Sequence, residues 1–419
     1  MTRHSTRVAI GAGALVLAGS IVLTGCGSGF SGGSPSASSG DLTSSDKPLN
    51  ILIGSSGDAE TKAVNSAVAS WSKGSGTKAT VTAASDLNQQ LSQGFASGSP
   101  ADVFYLSTDA LAGYASNGSL LAYGDQLKNK DDFYPSLLKS FTYDGKLYCA
   151  PKDFSTLQLV INTDMWAKAG LTDADIPKTW DQLAAVSKKL TADGHVGLSM
   201  SGEYARVGAF MVAAGGGLMN ADSSKATADA AGNVTALDYV KGLLGGGSMK
   251  FAADLGSGWG GEAFGTQKAA MVVEGNWITG AMSNDYPTVK YKAVELPAGP
   301  DGKKGTLQFT NCWGISADSK NQKAALDLVE HLTSADSQLA FSKAFGPMPS
   351  IKSAADAWKK DNAALVPFLN GADYAQGVPT LKGSADVVKD FNGKLGTLAT
   401  GDPKTILDAT QKNLEALLK

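Results

Sequence analysis

From Pro48 onward, short apolar runs alternate with longer amphipathic stretches. In "LNILIG", Leu49, Ile51 and Ile53 recur at period two with Leu52 on the other face, which predicts a strand buried on both sides. Val64, Val68 and Trp71 then recur at helical spacing, with Asp58 placed to cap that helix. "TKATVTA" predicts a second strand, Leu87, Leu91 and Phe95 a second helix, and "ADVFYLS" a third strand. A short helix, "DALAGYASNG", stops at Asn117-Gly118. This β-α-β-α-β-α order implies a parallel sheet with helices on both faces. The second half repeats the pattern with strands at "LQLVIN", "GLSMS" and "AAMVVEG" and a helix at "KTWDQLAAVSKKLTADG". It continues with a strand-turn-helix unit at "NCWGISADSKNQKAALDLVEHLTS" and a terminal helix carrying Ile406, Leu407, Leu414, Leu417 and Leu418 on one side. No short internal repeat is evident, and two α/β domains are the economical reading, since domains run to about 150 residues.

The N-terminus has a different grammar. Arg3, His4 and Arg7 precede an uncharged run from Val8 to Leu23, the pattern of an export signal. The run ends in "LTGC", residues 23 to 26, which resembles the lipobox of bacterial lipoproteins. That implies a signal peptide over residues 1–25, a lipidated Cys26 as the first mature residue, and an extracytoplasmic protein held on the outer face of the cell membrane by lipid alone. Gly, Ser, Ala, Pro and Thr dominate the next stretch, predicting a flexible tether over 26–46. "GFSGG" within it matches the nucleophile-elbow pattern but lacks a flanking strand and helix. Losing the leader removes two arginines and no acids, so a formal charge of −3 becomes more negative, which argues against a nucleic-acid partner. No second apolar run approaches the roughly 18 residues needed to span a bilayer.

Catalytic and cofactor chemistry finds little material. Beyond the leader the histidines are His195 and His331, on different predicted elements, so no metal site is expected. "GSGWGG", residues 256 to 261, fits G-x-G-x-x-G, but no short buried strand with a downstream ribose-binding acid is evident, and no cofactor is expected. "SWSK" lies inside the first predicted helix and lacks the companion motifs of a β-lactamase. A sugar or solute site needs aromatic faces together with carboxylates, amides or arginine, in loops beyond the carboxyl ends of strands. Those materials are present there: Ser56 and Asp58 after the first strand, Asp109 after the third, Glu203, Tyr204 and Arg206 after "GLSMSG", and Glu274, Asn276 and Trp277 after "AAMVV".

Four blocks also carry a resemblance: "PADVFYLSTDALAGYASNGSLLAYGD", "GKLYCAPKDFSTLQLVIN", "AGLTDADIPKTWDQLAAVSKKL" and "EAFGTQKAAMVVEGNWI". In order and spacing they resemble the extracellular solute-binding proteins of ABC importers, in the group that includes the maltose-binding protein. The resemblance implies a two-lobed α/β periplasmic-binding-protein fold, type II-like, each lobe a mainly parallel sheet flanked by helices. Three crossovers are expected, near Phe154, Thr310 and Gly346-Pro347, so that residues 47–154 with 311–346 form one lobe and 155–310 with 347–419 the other. It implies a monomeric, non-enzymatic receptor that takes a mono- or oligosaccharide between closing lobes and passes it to a membrane permease. By position, Asp109 matches an acid that bonds sugar hydroxyls and Trp277 a tryptophan that stacks on the sugar.

Glu203 and Tyr204 fall near a Glu-x-Tyr site segment without settling which points inward, and Asp58 sits near a first-loop acid. Asp153, Phe154 and Asn311 lie at the expected hinge edge, while Trp259 and Trp313 read equally as site or core. Trp71, Trp166 and Trp180 read as core. Asp58 and Asp109 could equally be helix caps, Glu274 a solvated loop charge, and Arg206 a partner of Glu203 or a binder of an anionic solute. With Cys26 lipidated, Cys149 and Cys312 remain, and the family runs those two strands side by side, which implies a disulfide. Two alternatives stand beside the sugar receptor: an exported glycan hydrolase using Glu203 and Glu274, and a receptor for an anionic or phosphorylated solute. Arg206 is the only arginine beyond the leader, which favours a neutral polyol.

Overall fold

The structure, a computed structural model, describes residues 41–192, 194–220 and 223–419. The expected leader, Cys26 and the tether as far as residue 40 lie outside the described residues. Apolar runs bounded by turn residues give twelve strands among the described residues. In chain order they are β1 Leu49–Ile53, β2 Ala79–Ala83, β3 Val103–Ser107, β4 Thr142–Tyr143, β5 Lys146–Leu147 and β6 Cys149–Asn162. They continue with β7 Val196–Met200, β8 Met249–Phe251, β9 Ala269–Gly275, β10 Tyr291–Val294, β11 Thr306–Ile315 and β12 Ala375–Gln376.

Ten of these join in hydrogen-bonded order β2-β1-β3-β11-β6-β9-β7-β8, with β10 beside β6 and β12 beside β11; β4 and β5 form a separate hairpin. The flanks are parallel, β2-β1-β3 on one side and β9-β7-β8 on the other. The two long strands between them run antiparallel to each other and to the flanking strands β3 and β9. The sheets are therefore mixed, and the parallel sheet expected from helix-strand alternation holds only in the flanks.

Strand β6 changes partners along its length. Cys149 to Thr156 pair with β11, whereas Leu157 to Ile161 pair with β9 and Leu159 to Asn162 with β10. The expected crossover positions meet at this change: Phe154 stands opposite Thr310 in the ladder, and its amide donates 3.2 Å to the Met348 carbonyl. Two large apolar cores lie on either side. One takes residues between Leu49 and Ala150 and between Trp313 and Ala354; the other takes Leu157 to Leu307 and Val387 to Leu414. A third cluster with Phe154, Met348, Trp358 and Phe368 fills the joint. Ile351 and Ala354, placed in the second lobe by the expected boundary at 347, pack in the first core instead.

Trp71, Trp166 and Trp180 are buried, in line with their helical spacing. Cys149 and Cys312 are bonded to each other, Cα atoms 5.5 Å apart, across β6 and β11. Residues 42–46, assigned by composition to the tether, belong to the folded unit. Leu42 packs on the first core, and Thr43 bonds Gln322 through its amide (3.1 Å) and the Ser319 carbonyl through its hydroxyl (2.8 Å). Their polar composition is that of a linker, but partners nearly 280 residues away hold them in the fold.

Candidate functional site

Two clusters of charge gather beyond the strand ends. The first starts at the β1 loop. The Ser56 amide and hydroxyl donate to Glu60 Oε2 at 2.8 and 2.7 Å, and Glu60 is drawn inward from the first turn of the helix Asp58–Ser75. Its other oxygen accepts from the Tyr105 hydroxyl of β3 (3.0 Å) and from Lys152 Nζ of β6 (3.2 Å). Lys152 also contacts the carboxylate of Asp153 and lies 4.5 Å from the centre of the Tyr105 ring. Lys152 is 9 % exposed and Asp153 18 %. Desolvation is the largest influence on all three. It raises Asp153 above the usual aspartate range, and it is outweighed at Glu60, where Lys152, Ser56 and Tyr105 hold the carboxyl low. Burial also opposes the charge on Lys152, but its two carboxylate neighbours leave its pKa raised.

The second cluster is built on β9 and the helix Tyr204–Ala213. Glu274 is fully buried, at 0 % exposure, and receives Arg206 in two parallel bonds, Nε to Oε1 at 3.1 Å and Nη2 to Oε2 at 2.8 Å. The Trp277 indole N–H donates to the same carboxylate at 3.0 Å, the guanidinium lies 5.3 Å from the ring centre, and Phe309 of β11 meets the ring edge to face at 5.5 Å. Arg206 Nη1 also reaches Glu203 and the Ala205 carbonyl, both at 3.3 Å. Trp277 remains 38 % exposed and the Glu203 side chain 39 %. Burial is the largest influence on Glu274 and raises its pKa, against the pull of Arg206.

The strand pair β6 and β11 connects the clusters. Asp153 faces Asn311 and Ser155 faces Phe309, and residues two apart share a face about 7 Å apart along a strand. Asp153 and exposed Asn311 thus stand beside Phe309, which in turn touches Trp277. Ser155 accepts from the Asn276 amide (2.9 Å), and the Asn276 side chain donates to the Gly346 carbonyl (3.1 Å), so the end of β9 is tied to the joint.

Of the residues expected at a site, Glu203, Arg206, Glu274 and Trp277 converge in one cluster, and Ser56 and Asp153 in the other, with Asn311 beside Asp153. Tyr204 turns into the core against Phe391, leaving Glu203 as the member of that pair at the surface. Phe154 is buried against Tyr134, and Trp313 is buried against Tyr105. Asp58 and Asp109 are exposed in the first turns of their helices; the N-cap positions are Gly57 and Ser107. Trp259 is half-buried.

Glu274 lies in β9 rather than in a loop, because three donors satisfy its charge inside the fold. The glycines of "GSGWGG" make room for these groups: a Cβ on Gly260 would lie 2.7 Å from Glu274 Oε1, and one on Gly261 would lie 2.0 Å from the Trp259 ring. The short strand β8 does precede that run, but a 3₁₀ turn over Ala252–Leu255 separates them. Glu60, Tyr105, Lys152 and Phe309 were missed in the sequence. Ser56 and Asp153 were the expected members of the first cluster. Among the described residues, no group of three or more His, Cys, Asp or Glu side chains could hold a metal.

A family profile described as bacterial extracellular solute-binding protein matches residues 67–366. The diacetylchitobiose binding protein DasA of Streptomyces coelicolor is 26% identical over 318 residues, 73% of this chain and 73% of that one. The cyclic alpha-maltosyl-1,6-maltose binding protein from Arthrobacter globiformis superposes with a TM-score of 0.79 at 21% identity, covering 89% of this chain and 99% of that one. UgpB from Mycobacterium tuberculosis, solved with glycerophosphocholine, gives 0.75 at 19% identity, covering 88% and 98%. At such identities these structures establish the fold and leave the cargo open.

Proposed function

Because the chain belongs to the bacterial extracellular solute-binding protein family, we propose that it captures a neutral sugar, a mono- or oligosaccharide, for delivery to an ABC permease. Proteins of this family are solute-binding receptors and not enzymes, so the hydrolase alternative is set aside. The observation that carries the sugar reading is the state of the two cations. Lys152 is spent on Glu60 and Asp153, and Arg206 on Glu274 and Glu203. The groups left partly open are carboxylates, the Asn311 amide and the face of Trp277. Such a surface accepts hydrogen bonds from hydroxyls and stacks on apolar ring faces, and it offers a phosphate no uncommitted guanidinium or ammonium. The anionic alternative is disfavoured on that ground, although one protein of this fold was solved with glycerophosphocholine.

In this reading the two cores move as lobes about the joint of β6, β11 and the segment near Met348, closing over the ligand. Cys26 carries the lipid that keeps the protein at the membrane. Among the described residues no helix is long and apolar enough to cross a membrane.

A thermal-shift panel tests the cargo. A neutral sugar at about 100 times its dissociation constant should add about 2.7 kcal/mol of stability, and glycerophosphate should add none. Trp277→Ala should sharply reduce the sugar shift without unfolding the protein. Trp71→Ala, which removes a buried ring bonded to Asp327 at 2.8 Å, should lose about 3–5 kcal/mol of stability and keep sugar affinity. Stabilisation by glycerophosphate alone would overturn the neutral-sugar reading.

A further inference from the structure

We propose that Arg206 and Glu274 are positioning residues that make Trp277 a one-sided platform for the C–H face of a neutral sugar ring, and that they do not contact the sugar themselves. The proposal rests on the reading that Trp277 faces the sugar, and it deepens that reading by saying what fixes the ring and which face it leaves open.

An exposed tryptophan after a strand would ordinarily sample several rotamers. Here four groups converge on one. The indole N–H is bonded to Glu274, the guanidinium of Arg206 lies against the ring, and Phe309 meets it edge to face. Gly275 supplies the fourth condition, because a Cβ there would lie 2.3 Å from ring carbons Cη2 and Cζ3. Glu274 has no surface through which to reach a ligand, and Arg206 is 9 % exposed with Nε, Nη1 and Nη2 all engaged. Their chemistry is directed at the indole. A ligand then has the remaining open ring surface to lie on.

The same geometry leaves the ring one-sided. The guanidinium covers one face and is itself neutralised by Glu274, so the open face offers a pyranose a surface on which its C–H groups can stack.

A ligand-free measurement decides the positioning. The protein has seven tryptophans, and the Trp277 indole resonance is assigned by its loss in Trp277→Phe. In the wild type that N–H should exchange with solvent much more slowly than a free indole, despite its exposure. In Glu274→Ala it should exchange freely, and in Glu274→Gln, which keeps an acceptor oxygen, protection should be partly restored. Free exchange in the wild type would overturn the proposal.

The second arm uses maltotetraose and diacetylchitobiose as probes. Against whichever binds, Glu274→Gln and the charge-balanced pair Arg206→Gln with Glu274→Gln should weaken affinity at least about tenfold. In a Trp277→Ala background the same changes should add nothing. Additive losses would mean direct contact with the sugar and would also overturn the proposal. The charge-balanced pair covers the case in which a single change unfolds the protein by stranding a buried charge. If neither sugar binds the wild type, the sugar reading fails while the exchange result still decides the positioning.

Discussion

Asp153 is the acid that its network leaves incompletely satisfied. The single charge of Lys152 is divided between Asp153 and the more deeply buried Glu60, and Glu60 also holds Ser56 and Tyr105. The pKa of Asp153 is raised, so the native state holds its proton more tightly than the unfolded chain does. At neutral pH, where the unfolded chain is ionised, keeping Asp153 charged costs stability, and the cost disappears as pH falls through the raised pKa. Asp153→Asn should therefore raise Tm by about 1–2 °C at pH 7, the gain shrinking as the pH falls toward the ordinary aspartate range, while weakening sugar binding. A lower Tm at pH 7, read by differential scanning fluorimetry, would count against this account. Glu60 has the opposite sign. Its lowered pKa gives stability that is present above its unfolded value and lost on further acidification.

Residues of this kind divide into legible and hidden. Trp277 and Asp153 stood out as candidates because they follow a strand end or adjoin a turn and a lysine. Glu60 could not be found, since in sequence it is one more acid in the first turn of a helix. Its meaning depends on a lysine 92 positions away.

At the scale of elements, the two antiparallel strands at the centre of the sheet carry the proposed site, and a disulfide joins them. Cys312 stands opposite Pro151, and the next aligned pair beyond the bulge is Asn311 with Asp153. The disulfide closes a separation of 163 residues, for which the chain-entropy account allows at most about 5 kcal/mol. Replacing both cysteines, Cys149→Ser with Cys312→Ser, should lower the unfolding free energy by an amount up to that ceiling. Sugar affinity should stay within about threefold, because the ladder itself still aligns Asp153 with Asn311. An affinity loss of a hundredfold, by calorimetry, would mean that the bond and not the ladder sets the site.

Six of the sixteen α-helices among the described residues, and the flanking strands other than β8, were legible from periodicity. The full length of β6 was not, because Pro151, Lys152 and Asp153 interrupt its apolar run. Pro151 is tolerated because its stretch of β6 pairs through the ladder with β11 alone. Strand direction was also hidden, since a strand buried on both faces shows the same apolar run whichever way it points.

For the whole molecule, two separate cores share a joint of three chain segments, β6, β11 and the residues around Met348. Few backbone positions need to change for one core to rotate against the other. Sugar at a concentration that saturates the wild type should reduce its radius of gyration in solution scattering by about 1 Å, and at that same concentration Trp277→Ala should show a smaller change. Demonstrated binding with an unchanged radius would remove hinge closure from the mechanism. Length and element order pointed to two domains, but the crossover positions followed from resemblance to a family, because hydrophobic pattern cannot say where a chain crosses and returns. The same limit explains why Leu42 to Asp46 read as tether: their composition is that of a linker, and their partners lie near Ser319 and Gln322.

Arg206 is the one arginine beyond residue 7. That scarcity turns the ion pair under Trp277 into a unique chemical address on the folded protein. In the chain without residues 1–25, a dicarbonyl reagent selective for guanidinium groups has a single target, and that target is covered by Glu274. The extent of labelling thus becomes a clock for the opening of this one pair, read by mass alone, without introducing a probe into the site.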